Sequence, residues 1–243
     1  MIIKEKSIKI QQSIPIVIGI DFEWTKNYKI KNGNVPFCFS IVYFPMFKTK
    51  YQKLNNFEFG FKSVYVNNKN ENNKLIDKAV ITLNKLNSIK NKIIVGHQLH
   101  SDIGVIDNYS MHQNNEIKIF KDNWKNRQNF DNMYFDTRYD INNLKCKSRR
   151  LVDVCNEYNI NVEQPEIKGS MSKMHNEFIL NHDTKIMEKL AIMNLRHSLS
   201  CALLYTSFKL DTQRTIYTNN ILYNNVKNYF NYVNSEDFSK LLK

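Results

Sequence analysis

The stretch Ile16-Val17-Ile18-Gly19-Ile20-Asp21-Phe22-Glu23-Trp24 decides how this chain is read. Its first five residues are apolar and mostly β-branched, the composition of a fully buried central strand. Two carboxylates then close it. Side chains alternate along a strand, so Asp21 and Glu23 project to one face. Like charges held that close repel each other, and a divalent cation between them turns the repulsion into binding. A merely solvated strand end explains the pair equally well, so the rest of the chain has to decide.

Outward from that strand, Lys29 to Asn34 reads as a turn, Pro36 to Phe44 as a second strand, and Phe57 to Val66 as a third, antiparallel one. Leu75, Ala79, Leu83 and Leu86, with Ile76 and Val80, form a helical stripe. A fourth strand, Lys92 to Val95, runs into Gly96-His97, and Asp102 falls at the start of the next helix. The polar stretch Asn108 to Asn132 mixes Lys118, Lys121, Lys125 and Arg127 with Phe120 and Trp124. It reads as a solvated insertion, with base stacking and backbone grip as the rival.

Tyr134 to Thr137 marks another short strand end, Leu151 to Tyr158 a short helix, and Pro165 and Gly169 a loop. The strongest helix is Lys185 to Phe208, where Ile186, Leu190, Met193, His197, Cys201, Leu204 and Phe208 advance by three or four. Asp183 and Thr184 are its candidate caps. Ile221, Leu222, Val226, Tyr229 and Phe230 predict a last amphipathic helix. With no repeat and no linker, one domain over 1–243 is expected, its core at about 14–208 and a C-terminal helical extension at about 209–243.

Across 243 residues, 35 Lys and Arg stand against 23 Asp and Glu, a net charge of +12. That excess points to a polyanionic partner, nucleic acid ahead of a membrane surface. The four cysteines are scattered without a C-x-x-C pair, which argues against a disulfide framework or a structural zinc site. Neither a signal core nor a membrane-spanning run is present in the sequence, so a soluble, cytoplasmic protein is expected.

Taken in order, Asp21-Phe22-Glu23-Trp24, then Val95-Gly96-His97-Gln98-Leu99-His100-Ser101-Asp102-Ile103, then Met193-Asn194-Leu195-Arg196-His197 resemble the three motifs of the DEDD superfamily of 3′–5′ exonucleases. Trp24 is similar to the ribonuclease D and Werner-type branch, and Phe135 to Asp140 with Leu151 to Cys155 are similar to the connecting segment. The likeness covers Ile16 to about Tyr205. It implies an α/β, ribonuclease H-like mixed β-sheet flanked by helices, and two-metal hydrolysis of phosphodiester bonds at single-stranded DNA or RNA 3′ ends.

The resemblance also implies a ligand set. Asp21 would bridge two Mg²⁺ or Mn²⁺ ions, with Glu23 and Asp102 completing one side each. The third motif departs from the family, placing Met193 where a Tyr belongs and His197 where the last metal-binding Asp belongs. A second register makes His197 the general base and puts Cys201 at the Asp position. An imidazole ligand favours Mn²⁺ over Mg²⁺. Trp24, His97, Lys145, Lys147, Arg149 and Arg150 are the expected nucleic-acid contacts. The alternatives are a degenerate relative that binds nucleic acid without cutting it, and an interaction module that keeps only the fold.

Overall fold

The computed structural model of the chain describes residues 1–11, 13–25, 33–46, 56–130, 133–142, 144–166 and 170–243. Most of the turn expected at Lys29 to Asn34, and Gly169 of the expected loop, lie outside them. The strands are β1 (Ile2–Lys6), β2 (Ile16–Trp24), β3 (Pro36–Pro45), β4 (Gly60–Tyr65), β5 (Lys92–Gly96), β6 (Tyr134–Asp136), β7 (Ile160–Asn161) and β8 (Ile216–Tyr217). The α-helices are α1 (Asn72–Ser88), α2 (Leu99–Tyr109), α3 (Asn115–Lys125), α4 (Leu151–Glu157), α5 (Met171–Asn181), α6 (Thr184–Leu210), α7 (Thr218–Val226) and α8 (Glu236–Ser239).

The molecule is α/β: a mixed six-stranded sheet in the order β1-β4-β3-β2-β5-β6, flanked by helices. Strands β1, β4, β3 and β2 pair antiparallel, whereas β2, β5 and β6 run parallel. The two halves therefore meet on β2, the strand that carries the acidic pair. Its alternation sorts the two faces. Ile16, Ile18, Ile20 and Phe22 join Leu75, Ala79, Leu83, Ile103, Phe120 and Trp124 in one core. Val17 joins Leu195, Leu199, Ala202 and the C-terminal residues in the other.

Helix α6 lies against that second face, and its depth is set by Gly19. A Cβ at this position would stand 1.9 Å from the Ser198 carbonyl oxygen, so only glycine lets the two backbones approach. Ser40 Oγ and Ser198 Oγ, 2.7 Å apart, close the same interface from β3. At the helix start Asp183 accepts from the Lys185 N–H, which makes it the cap rather than Thr184. The expected stripe is only part of the helix's burial. Every residue from Leu190 to Ser207 is buried except His197, because the tail covers the face that the sheet leaves open.

In the C-terminal stretch, Ile221, Leu222, Val226, Phe230, Val233 and Phe238 pack into the α6 core. The polar stretch after Asn108 is not a solvated insertion. Its middle forms α3, with Ile117, Phe120 and Trp124 fully buried, so neither aromatic is free to stack a base. The spacing 117, 120, 124 is helical, with Lys118 and Lys121 between these positions and Lys125 and Arg127 after them. No helix among the described residues is long and apolar enough to cross a membrane.

Candidate metal centre

Asp21 and Glu23 leave β2 on the α6 face at the end of the sheet where the parallel strands β2, β5 and β6 terminate. In open α/β sheets this carboxyl end is where ligands bind. Between Glu23 and Trp24 the register with β3 shifts. Such irregularities re-aim side chains next to sites. From α6, Asn194, His197 and Ser198 share one face by their three- and four-residue spacing. Asn194 and His197 reach the strand end.

His197 Nδ1 lies 3.3 Å from Asp21 Oδ2 and 3.2 Å from Glu23 Oε1. Asn194 Nδ2 donates to Asp21 Oδ2 at 2.7 Å, and its Oδ1 accepts from the Cys38 thiol at 3.4 Å. One donor atom each from Asp21, Glu23 and His197 fall within 4.8 Å of one another. Two hard oxygens and one imidazole nitrogen form a donor set that fits a divalent cation, and the nitrogen suits Mn²⁺, Co²⁺ or Zn²⁺ better than Mg²⁺. The arrangement brings three of the four expected ligands within 4.8 Å of one another.

Asp102 sits apart from that trio, in the first turn of α2. Its Oδ1 accepts from Trp24 Nε1 at 2.9 Å, so Trp24 holds a carboxylate here. Burial pushes the Asp102 carboxyl well up, the Asp21 charge adds to it, and only the Trp24 bond opposes. Glu23 is raised too, by burial ahead of the neighbouring Asp21, against the pull of His197. For His197 burial works against the cation, but the bonds to Asp21 and Glu23 outweigh it and its pKa is pushed up to about 10. Without metal, the imidazolium is the counter-ion of the acidic pair.

Trp24→Phe keeps the ring and removes the one bond that lowers the Asp102 pKa. Its expected effect is a several-fold loss of Mn²⁺ affinity below neutral pH, seen by calorimetric titration, with little change in thermal stability.

The remaining expected contacts play different parts. His97 bridges Thr137 Oγ1 and the Arg149 carbonyl, each at 2.9 Å, and burial lowers its pKa to about 4. It is a neutral tie that pins the basic segment to the ends of β5 and β6. Arg149 itself donates to the Arg138 carbonyl at 3.1 Å, and Arg150 pairs with Asp153 at 2.8 Å. Lys145 and Lys147 are exposed. Cys201 is buried on α6, and its thiol is pushed well up by burial first and by the Asp21 charge next. Asn194 and Gln164 enter the site without having been anticipated as side chains that act there. Only the motif position of Asn194 hinted at it. Against models of known families, curated proteins and solved structures, the chain matches none.

Proposed function

We propose that this protein is a metal-dependent 3′–5′ exonuclease that hydrolyses phosphodiester bonds at single-stranded nucleic-acid ends, on a ribonuclease H-like fold. The observation that carries the reading is the convergence of Asp21, Glu23 and His197 at the end of the strand where the two halves of a mixed sheet meet. A divalent cation bound there supplies a Lewis acid for the attacking water and offsets charge on the phosphate. Asp21 and Glu23 would hold it through oxygen, and His197 through Nδ1. Asp102, fixed by Trp24, is the carboxylate left to serve a second cation. Exposed Lys145 and Lys147, on a segment tied to the site's edge by His97, meet the strand's backbone.

The test is an end-labelled DNA and RNA digest with Mg²⁺ and Mn²⁺ side by side. A ladder shortening from the 3′ end, stronger with Mn²⁺, is expected. A second reading, a degenerate relative that binds nucleic acid without cutting it, is favoured by one observation: His197 and Asn194 already satisfy the carboxylates without a metal. Strand binding with no cleavage by either metal decides for it.

Binding carries its own prediction. Each phosphate that the protein neutralises on a single strand steepens the fall of log affinity with log salt by about 0.7. Replacing Lys145 and Lys147 with glutamine should lower the slope by about that amount for each phosphate left without its lysine, in a fluorescence-anisotropy salt titration. Arg149→Gln and Arg150→Gln should change it less, because their guanidiniums are already engaged within the protein. An unchanged slope after all four substitutions removes the cluster from the interface.

A further inference from the structure

His197 presents one ring nitrogen to the acidic pair and the other to a segment of loop. Nε2 lies 3.3 Å from Gln164 Oε1. Two residues on, Glu166 accepts from Arg196 at 2.7 and 3.0 Å and from the Tyr232 hydroxyl at 3.0 Å. The Arg196 and Glu166 side chains are 0% and 2% exposed, a buried bidentate charge pair in which Arg196 Nε has no partner among the described residues. Arg196 precedes His197 in the chain. The pair therefore fastens the loop to the same helical turn that carries the imidazole. The backbone N–H of Tyr232 also donates to Glu188 Oε2 at 2.7 Å, which ties the tail to α6.

Gln164 Oε1 is the amide atom that faces His197 Nε2, and the amide nitrogen is buried without a partner among the described residues. A neutral imidazole has one N–H, and its position follows from what each nitrogen faces. An amide oxygen can only accept. It therefore calls for the N–H on Nε2, so the proton that the metal-free imidazolium gives up when a cation binds is the one on Nδ1, between Asp21 and Glu23. Metal-binding histidines are commonly held in this way through their outer N–H.

We propose that Gln164 is the positioning residue that fixes the Nε2–H tautomer of His197, making Nδ1 the nitrogen ligand of a cation shared with Asp21 and Glu23. This rests on the metal-centre reading above. An amide turned the other way would offer an N–H to Nε2 and put the imidazole proton on Nδ1, facing the carboxylates. That is a closed, metal-free hydrogen-bonded site, so the two orientations predict opposite results.

The experiment compares the wild type with Gln164→Met, close in shape but without the amide oxygen, and Gln164→Glu, which keeps an acceptor. Mn²⁺ and Co²⁺ affinities are measured by calorimetry. The Co²⁺ protein is also examined by proton NMR for a hyperfine-shifted, exchangeable imidazole N–H. Expected is one such signal in the wild type, a loss of about 10–100-fold in affinity with a broadened signal in Gln164→Met, and recovery in Gln164→Glu. Equal affinity and an unchanged signal in Gln164→Met overturn the role of Gln164 and leave the metal centre standing. No uptake of either ion by the wild type overturns both. Uptake that weakens as expected, without cleavage by any variant, upholds Gln164 and sinks only the nuclease.

Discussion

Asp21→Asn will reduce metal-dependent cleavage to background while the protein stays folded, and Asp21→Ala will lose cleavage and some stability as well. Asp21 Oδ2 meets both His197 Nδ1 and Asn194 Nδ2, so its charge is shared by the cation position and by a fully buried amide. From like-charge repulsion alone, removing the carboxylate should leave the fold unchanged or more stable. The structure reverses that expectation for alanine. The buried Asn194 N–H would lose its acceptor, at a cost of about 1–3 kcal/mol. An asparagine oxygen can still accept that bond, which makes Asp21→Asn the cleaner test of chemistry. Thermal unfolding beside the end-labelled digest separates the two effects. Cleavage that survives in pure Asp21→Asn protein takes this site out of the mechanism.

The parts of the fold legible in the sequence are those where one local rule acts alone. A β-branched run bounded by acids marks β2, and the three- and four-residue spacing of Leu75 to Leu86 marks α1. Strand β1 was not legible. Its residues alternate only between half-buried and exposed, and as a short edge strand it leaves Ile3 exposed while Lys4 and Lys6 take half-buried positions. Helix α5 was hidden as well, although Ser170 caps it by accepting from the Lys173 N–H.

Helix α6 was legible as a helix but not as a helix buried all round, since its second cover comes from the distant tail. At the site, the acidic pair and Asp102 could be named from motif order. The partners that decide their chemistry could not. Asn194 is 173 residues from Asp21 in the chain, and Gln164 reaches His197 only through the Arg196 and Glu166 anchor. His97 and Trp24 show the limit from the other side. Both were expected to meet nucleic acid, and nothing in their spacing announced that their bonds to Arg149, Thr137 and Asp102 also hold the protein's own parts in place.

His197→Asp is the second large effect, and its sign depends on whether metal is present. In the wild type the imidazolium lies between two carboxylates, with its pKa pushed up from an ordinary 6.5 to about 10. A pKa raised by folding contributes stability that is complete below about pH 6.5 and is lost as pH rises towards 10. The metal-free wild type should therefore melt at progressively lower temperature across that window. His197→Asp removes this cation and adds a third carboxylate. Its metal-free form should melt on the order of 5–10 °C below the wild type near neutral pH, and this deficit should narrow as pH rises towards 9 and the wild type loses its imidazolium contribution. Mg²⁺ should then stabilise the variant far more than the wild type, by about 2.7 kcal/mol at a hundredfold excess over the dissociation constant. In the wild type a metal must displace the imidazole proton, so Mn²⁺ affinity should fall as pH falls. His197→Asp should carry that dependence to lower pH and transfer the preference from Mn²⁺ towards Mg²⁺. Melting curves with and without each ion, from pH 6 to 9, read all of this without any nuclease assay. If Mg²⁺ leaves the variant's melting unchanged, the cluster is a half-buried hydrogen-bonded trio and not a metal centre.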